Sequence, residues 1–202
     1  YDSAFISYKN ASNLIEPYLS KSKDTLLGIK YLDLNNNILE CYKELYQFKK
    51  GLQHSEQLLQ KTESLFLTPP LSIAETYSLQ GYFTQQLGDY QKSLAYCQKV
   101  INIKVNLLGE ENESVASAFV DLGYTYWVLG NIEQSLINNR RALKIRQKIF
   151  GNEHEKVAQS YDNIGVAYAI LGNYEKAATL MEKAYSIFSK ILGENHPDLA
   201  IT

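Results

Sequence analysis

From residue 72 to residue 191, apolar side chains recur three and four positions apart in alternating shorter and longer stretches. Period-two alternation enriched in Val or Ile is nowhere sustained. This pattern predicts helices throughout. First helices are expected near 72–86, 114–128 and 156–170, and second helices near 89–107, 131–149 and 173–191.

The stretches repeat in step. Leu87-Gly88-Asp89-Tyr90, Leu129-Gly130-Asn131-Ile132 and Leu171-Gly172-Asn173-Tyr174 place their glycines 42 residues apart. Two further series, Gly81, Gly123, Gly165 and Gly109, Gly151, Gly193, keep the same step of 42. Gly88, Gly130 and Gly172 end an apolar stretch just before Asp or Asn, so each is expected to be a left-handed residue that stops one helix where the next begins. Gly109, Gly151 and Gly193 close the longer stretch in the same way. Gly81, Gly123 and Gly165 fall inside a helical pattern, where Gly costs about 1 kcal/mol relative to Ala. Their recurrence therefore predicts close backbone approach within each hairpin.

The register extends in both directions. Leu45-Tyr46-Gln47-Phe48 aligns with Leu87-Gly88-Asp89-Tyr90, so a degenerate repeat that has lost its punctuating Gly is expected over 30–66. Full repeats are expected over 70–111, 112–153 and 154–197. Residues 1–29 form an unassigned helical segment, helical from Ala4 to about Leu14, with Pro17 either opening a second helix or kinking one. Residues 198–202 align with the start of a first helix, and the chain opens on Tyr1 rather than Met. Both features read as a piece of a longer polypeptide.

The 202 residues are 45% hydrophobic and 21% charged, enough for a folded core. The formal charge of -2 lacks the basic excess that phosphate binding relies on, which argues against nucleic acid as a partner. No apolar run approaches the ~18 residues of a membrane span, so membrane insertion is not expected. Cys41 and Cys97 both lie in helical sequence and suit a reducing, cytoplasmic setting.

Phe119, Leu122, Gly123, Tyr126 and Tyr161, Ile164, Gly165, Tyr168, with Ser135, Ala142 and Ala177, Ala184 in the second helices, carry a signature that resembles the tetratricopeptide repeat. Tyr77, Gln80, Gly81, Thr84 is a weaker copy. The period of 42 exceeds the family's common ~34, lengthening the second helix and the loop after it. Leu192-Gly193-Glu194-Asn195-His196-Pro197-Asp198-Leu199-Ala200 is similar to the long repeats of kinesin light chains and of many bacterial proteins. The resemblance implies an all-α, right-handed superhelical solenoid of antiparallel helix pairs. It also implies a non-enzymatic scaffold whose concave groove binds a peptide segment of a protein partner, with no cofactor.

By register, Glu75, Ser78, Leu79, Tyr82 and Gln86 face that groove in one repeat. Asp121, Tyr124, Trp127 and Val128 follow in the next, then Asp162, Asn163, Val166 and Ile170. Tyr82, Tyr124 and Trp127 offer rigid aromatic area. Packing of Tyr124 and Trp127 against a neighbouring repeat is an equal alternative. Asn163 could bond a peptide backbone and Asp121 would favour a basic group. The recurring position Asn37, Leu79, Asp121, Asn163 departs from the Asn and basic set with which chaperone-tail-binding relatives hold a carboxylate, and Asp162-Asn163 keeps only the second of the paired Asn of kinesin light chains.

His154 and His196 sit one period apart in equivalent loops and read as structural, not as a metal or acid-base cluster. His54 is expected on a solvated face, as are Arg140, Arg141, Lys144, Arg146 and Lys148, although the latter could dock an acidic partner. Cys97 is expected to be buried. Two other functions remain open: a regulatory or substrate-recruiting arm of a larger enzyme, and self-association through open solenoid ends.

Overall fold

The computed structural model of the protein describes residues 2–22 and 24–193. Among them the regular structure is helical: α1 Asp2–Ser22, α2 Thr25–Glu44, α3 Phe48–Thr62, α4 Leu71–Gln86, α5 Tyr90–Leu108, α6 Glu113–Val128, α7 Ile132–Phe150, α8 Glu155–Ile170 and α9 Tyr174–Leu192, with one 3₁₀ turn at Glu63–Leu65. The chain forms two compact units, Tyr1–Leu107 and Leu108–Thr202. The second helices from α5 on match the glycine spacing closely. The continuation expected at 198–202 and His196 lie outside the described residues.

The turn that closes each hairpin follows from its Gly-Asp or Gly-Asn pair. After α6, the Gly130 amide donates to Trp127 O (2.9 Å) and the Asn131 amide to Tyr126 O (2.9 Å), with Gly130 at φ 76°. These two bonds satisfy orphan carbonyls of the ending helix. Asn131 then turns to the next helix, accepting the Gln134 amide on its side chain at 3.2 Å. Asp89 and Asn173 repeat the arrangement. The turn from α2 to α3 makes the same pair of bonds, Tyr46 N to Lys43 O and Gln47 N to Tyr42 O, with Tyr46 holding φ 55°. The degenerate sequence keeps the turn and places a tyrosine in the left-handed conformation that glycine occupies elsewhere.

The mid-helix glycines do not all have the expected tight contact. A Cβ at Gly123 would lie 2.8 Å from Asn139 Nδ2 and 3.3 Å from the Ser135 carbonyl, and one at Gly165 would lie 3.0 Å from Met181 Cγ. At Gly81 the nearest atom is Tyr96 Cβ at 3.8 Å, an ordinary contact, so the expected close approach fails there. The residue facing the glycine explains the difference: Cys97, Asn139 and Met181 occupy equivalent positions, and the short Cys97 leaves room. Cys97 is buried, as expected.

In the first unit α1 runs unbroken through Pro17, so neither a fresh helix nor a stop occurs there. Contacts with its neighbours hold it in place: Phe5 packs edge-on to Tyr42 at 5.1 Å, Leu19 is buried, and Glu16 pairs with Lys61. A polar network is buried within this largely apolar bundle. Buried Asn35 donates from Nδ2 to Ser12 Oγ (2.9 Å) and Tyr31 O (2.8 Å), and its Oδ1 accepts from His54 Nε2 at 2.8 Å. His54 is therefore not on a solvated face. It is half-buried beside Tyr42, and burial, aided by the positive charges of Lys61 and Lys9 against the opposing Glu16, lowers its pKa to about 4.

In the second unit, Val157, Ala158, Ala184 and Ile187 form one cluster and Leu136, Ile164 and Ala167 another, with Leu143 of α7 packed against both. Arg146 ties three helices. From α7 it reaches Glu113 of α6 with two bonds (3.1 and 3.3 Å), and it donates to Ser160 Oγ (2.9 Å) and Lys156 O (3.2 Å) of α8. At 4% exposure it is a buried staple and not part of a solvated basic face. Arg140 and Arg141 lie over Tyr168 and Phe119.

Two outcomes are expected. Tyr46→Gly relieves a left-handed non-glycine residue whose side chain is exposed, and should raise the stability to urea by about 1 kcal/mol. An unchanged or lowered stability would contradict that turn. Because the folded pKa of His54 is below its unfolded value, its contribution is complete above pH ~6.5 and is lost as the pH falls toward 4. Urea titrations from pH 7 to 4 should show a loss on the order of 2–3 kcal/mol from this group, largely absent in His54→Gln. Equal pH dependence in the two proteins would contradict the assignment.

Candidate functional site

Helix α7 packs against both α6 and α8. Between these helices lies a groove of about 240 Å³, lined by Val120, Tyr124 and Trp127 of α6, Ser135 and Asn139 of α7, and Asn163 and Val166 of α8. Tyr124 and Trp127 pack on each other, rings 5.8 Å apart and tilted 32°, yet stay 50% and 40% exposed. Val166 and Ile170 extend the exposed apolar strip along α8.

The polar groups of the strip both donate and accept: the Tyr124 hydroxyl, the Trp127 indole N–H and the side chains of Ser135, Asn139 and Asn163 belong to its lining. Asn139, 5% exposed, donates its Nδ2 to the Ser135 carbonyl at 3.0 Å, while its Oδ1 is buried with no hydrogen-bond partner. A buried unpaired acceptor costs about 1–3 kcal/mol. Asp121 is exposed on α6. Asp162 is half-buried on α8, and desolvation holds its carboxyl above the usual range.

The first-unit candidates behave differently. Leu79 is 6% exposed and offers no surface. Tyr82 is half-buried, edge-on to Phe48 at 5.9 Å with Lys43 over its ring at 5.7 Å, so its aromatic area is already covered. Gln86 is exposed. A second cavity, of about 280 Å³, lies between α4 and α5, but its polar groups satisfy one another. Tyr77 OH donates to Glu63 and receives Lys99 Nζ at 3.2 Å, with Lys99 over the ring at 4.4 Å. Burial and the Glu63 carboxylate raise the Tyr77 pKa.

His154 caps α8, accepting the Lys156 amide on Nδ1 at 3.1 Å, and stacks on Phe150 at 4.1 Å. The described residues contain no group of three His, Cys, Asp or Glu able to hold a metal ion, and no helix long and apolar enough to cross a membrane.

A model of the tetratricopeptide repeat family matches residues 72–148, 114–190 and 157–202, more than half of the sequence. The chain belongs to the tetratricopeptide repeat family. Among solved structures, BtubC (BKLC) from P. vanneervenii is similar, with a TM-score of 0.82 at 18% identity over 99% of this chain and 79% of that one. A Podosopora anserina kinesin light chain with nearly identical TPR-like repeats matches with a TM-score of 0.71 at 18% identity, over 92% and 89%. The apo form of RapI matches with a TM-score of 0.73 at 16% identity, over 93% and 65%. These likenesses concern the fold: an all-α tetratricopeptide solenoid of the kinesin-light-chain type. No curated protein matches the chain.

Within this tetratricopeptide register, sequence reasoning missed Asn139. Its signal was an Asn at the position that Cys97 and Met181 fill in the adjoining repeats. Val120 was missed because it sits one helical position from the residues expected to face the groove.

Gly123 lies directly beneath Asn139. Gly123→Ala should destabilise the protein by about 1–3 kcal/mol through overpacking against Asn139 and the Ser135 carbonyl. Gly81→Ala, whose added Cβ meets only ordinary contacts, should be neutral or stabilise by up to about 1 kcal/mol. Equal effects of the two in thermal melts would contradict the contact.

Proposed function

We propose that the protein is a non-enzymatic interaction scaffold that holds a segment of a protein partner in the α6–α8 groove. The observation that carries this reading is the half-exposed Tyr124–Trp127 pair above a buried acceptor without a partner. Large aromatic side chains kept partly in water leave apolar area available for contact, and they are the residue types that dominate binding interfaces. The apolar strip formed with Val166 and Ile170 supplies the rest of the contact. Tetratricopeptide proteins act generally as protein-interaction modules, which supports the assignment at the level of the fold. A cytoplasmic setting is part of the same reading, in keeping with two cysteines carried in helices.

Random dodecapeptides displayed on phage and selected on the full chain provide the test. Replacing Tyr124 and Trp127 together by Ala should leave the helical circular dichroism signal unchanged and weaken the selected peptides by about 30-fold or more, the loss of one strong hot spot. Peptides that bind the double variant as tightly as the parent would place the site elsewhere.

A further inference from the structure

Two rows of side chains border the α6–α8 groove. Val120, Tyr124 and Trp127 recur at helical spacing along α6, and Asn163, Val166 and Ile170 do so along α8, so each row occupies one helix face. None of the described side chains that line the groove is charged, so a charged anchor finds no ion pair in it. On α7 the Asn139 amide is engaged by Ser135, at 3.0 Å to the carbonyl and 3.3 Å to the hydroxyl, and its Oδ1 is buried. The polar groups left for a ligand are the Tyr124 hydroxyl, the Trp127 indole N–H and the half-buried Asn163 carboxamide, none of which bonds to another described residue.

These groups select among the backbone conformations of a bound segment. A helical segment keeps its N–H and C=O groups in its own ladder, and would cover the Trp127 N–H and the Asn163 amide without offering them main-chain acceptors. A strand takes its main-chain bonds from a sheet edge, whereas the described regular structure here is helical. A polyproline II segment has no internal hydrogen bonds, so its carbonyls remain to be paired. The Trp127 N–H is purely a donor and Asn163 Nδ2 is a second one, which matches those carbonyls.

Proline suits the rest of the groove. It has no N–H, so none is orphaned when the residue is buried against Val120 or Val166. It holds φ at about −65° before binding, which lowers the cost of ordering the segment. Its apolar ring fits the partly exposed faces of Tyr124 and Trp127, which lie 5.8 Å apart at a tilt of 32°.

We infer that the groove recognises a proline-containing segment in the polyproline II conformation. A pyrrolidine ring packs on Tyr124 and Trp127, one segment carbonyl accepts the Trp127 indole N–H, and a second accepts Asn163 Nδ2. This rests on the groove reading above and adds the class of segment that fills it.

The probe is the tightest dodecapeptide selected on the full chain, labelled with fluorescein and followed by anisotropy. The selected pool should be enriched in proline, and replacing the prolines of that peptide one at a time by Ala should weaken the most sensitive version at least about tenfold. Trp127→Phe keeps an aromatic face and removes the N–H, and should weaken the parent peptide about three- to tenfold with the helical circular dichroism unchanged. Asn163→Leu, which removes the carboxamide and keeps the bulk, should do the same. Trp127 is the single tryptophan of the chain, so its emission reports occupancy in the parent protein. The proline replacements alter only the ligand and remain decisive where a protein variant is less stable.

A pool that depends on Tyr124 and Trp127 but carries no excess of proline, or a peptide indifferent to loss of its prolines, overturns this inference and leaves the groove reading standing. Full affinity in both Trp127→Phe and Asn163→Leu overturns it too. A pool indifferent to the Tyr124, Trp127 double replacement overturns the groove reading itself, and a selection that yields no binding peptide overturns both. A concentration-dependent shift of Trp127 emission without peptide means that a second copy fills the groove, and overturns the inference as well.

Discussion

The contact that organises the second unit is the one between a glycine in the first helix of a hairpin, Gly123 or Gly165, and the residue opposite it in the second, Asn139 or Met181. At Gly123 the missing side chain lets α7 approach until Asn139 touches the α6 backbone. Without that approach Asn139 would not reach the groove. The turn at Gly130 and Asn131 fixes the angle at which the two helices meet, by pairing two carbonyls of α6 and capping α7 with the same two residues. Packing in the hairpin and chemistry in the groove therefore share one cause.

The same logic explains why the repeats are not equal. Cys97 is too short to press on Gly81, and Gln80 sits where Leu122 and Ile164 occur in the other repeats, with its Oε1 buried and unpaired. The first unit offsets its weaker repeats with a buried polar network, Ser12–Asn35–His54, and with aromatic contacts around Phe48 and Phe83. The second unit relies on aliphatic clusters and the Arg146 staple. Both units also bury aliphatic side chains, Leu32, Ile38 and Leu39 in the first and Val115, Val157 and Ile164 in the second.

The helices and turns were legible because they depend on local spacing and on glycines that recur every 42 residues. The left-handed turn at Tyr46 was visible only as a missing Gly, since its geometry is imposed by the hairpin and not by the residue. Burial of His54 and Arg146 was not legible: both sit on helical faces that the sequence marks as polar, and only tertiary partners, Asn35 in one case and Glu113 with Ser160 in the other, make burial tolerable. At the groove, the register placed Tyr124, Trp127, Asn163 and Val166 together. Leu79 shares the register of Asp121 and Asn163 yet is buried, because an apolar side chain at that position is drawn inward. Asn139 escaped notice because second-helix positions read as core, and a core Asn matters only once its partners can be counted.

The most direct test follows the side-chain amide of Asn139 by nuclear magnetic resonance in the full chain while a selected peptide is added. The account predicts that this amide and the backbone amides of Val120, Tyr124 and Val166 shift together along one saturation curve. Shifts confined to the outer faces of α7 and α9, with the Asn139 amide unmoved at saturation, would contradict it.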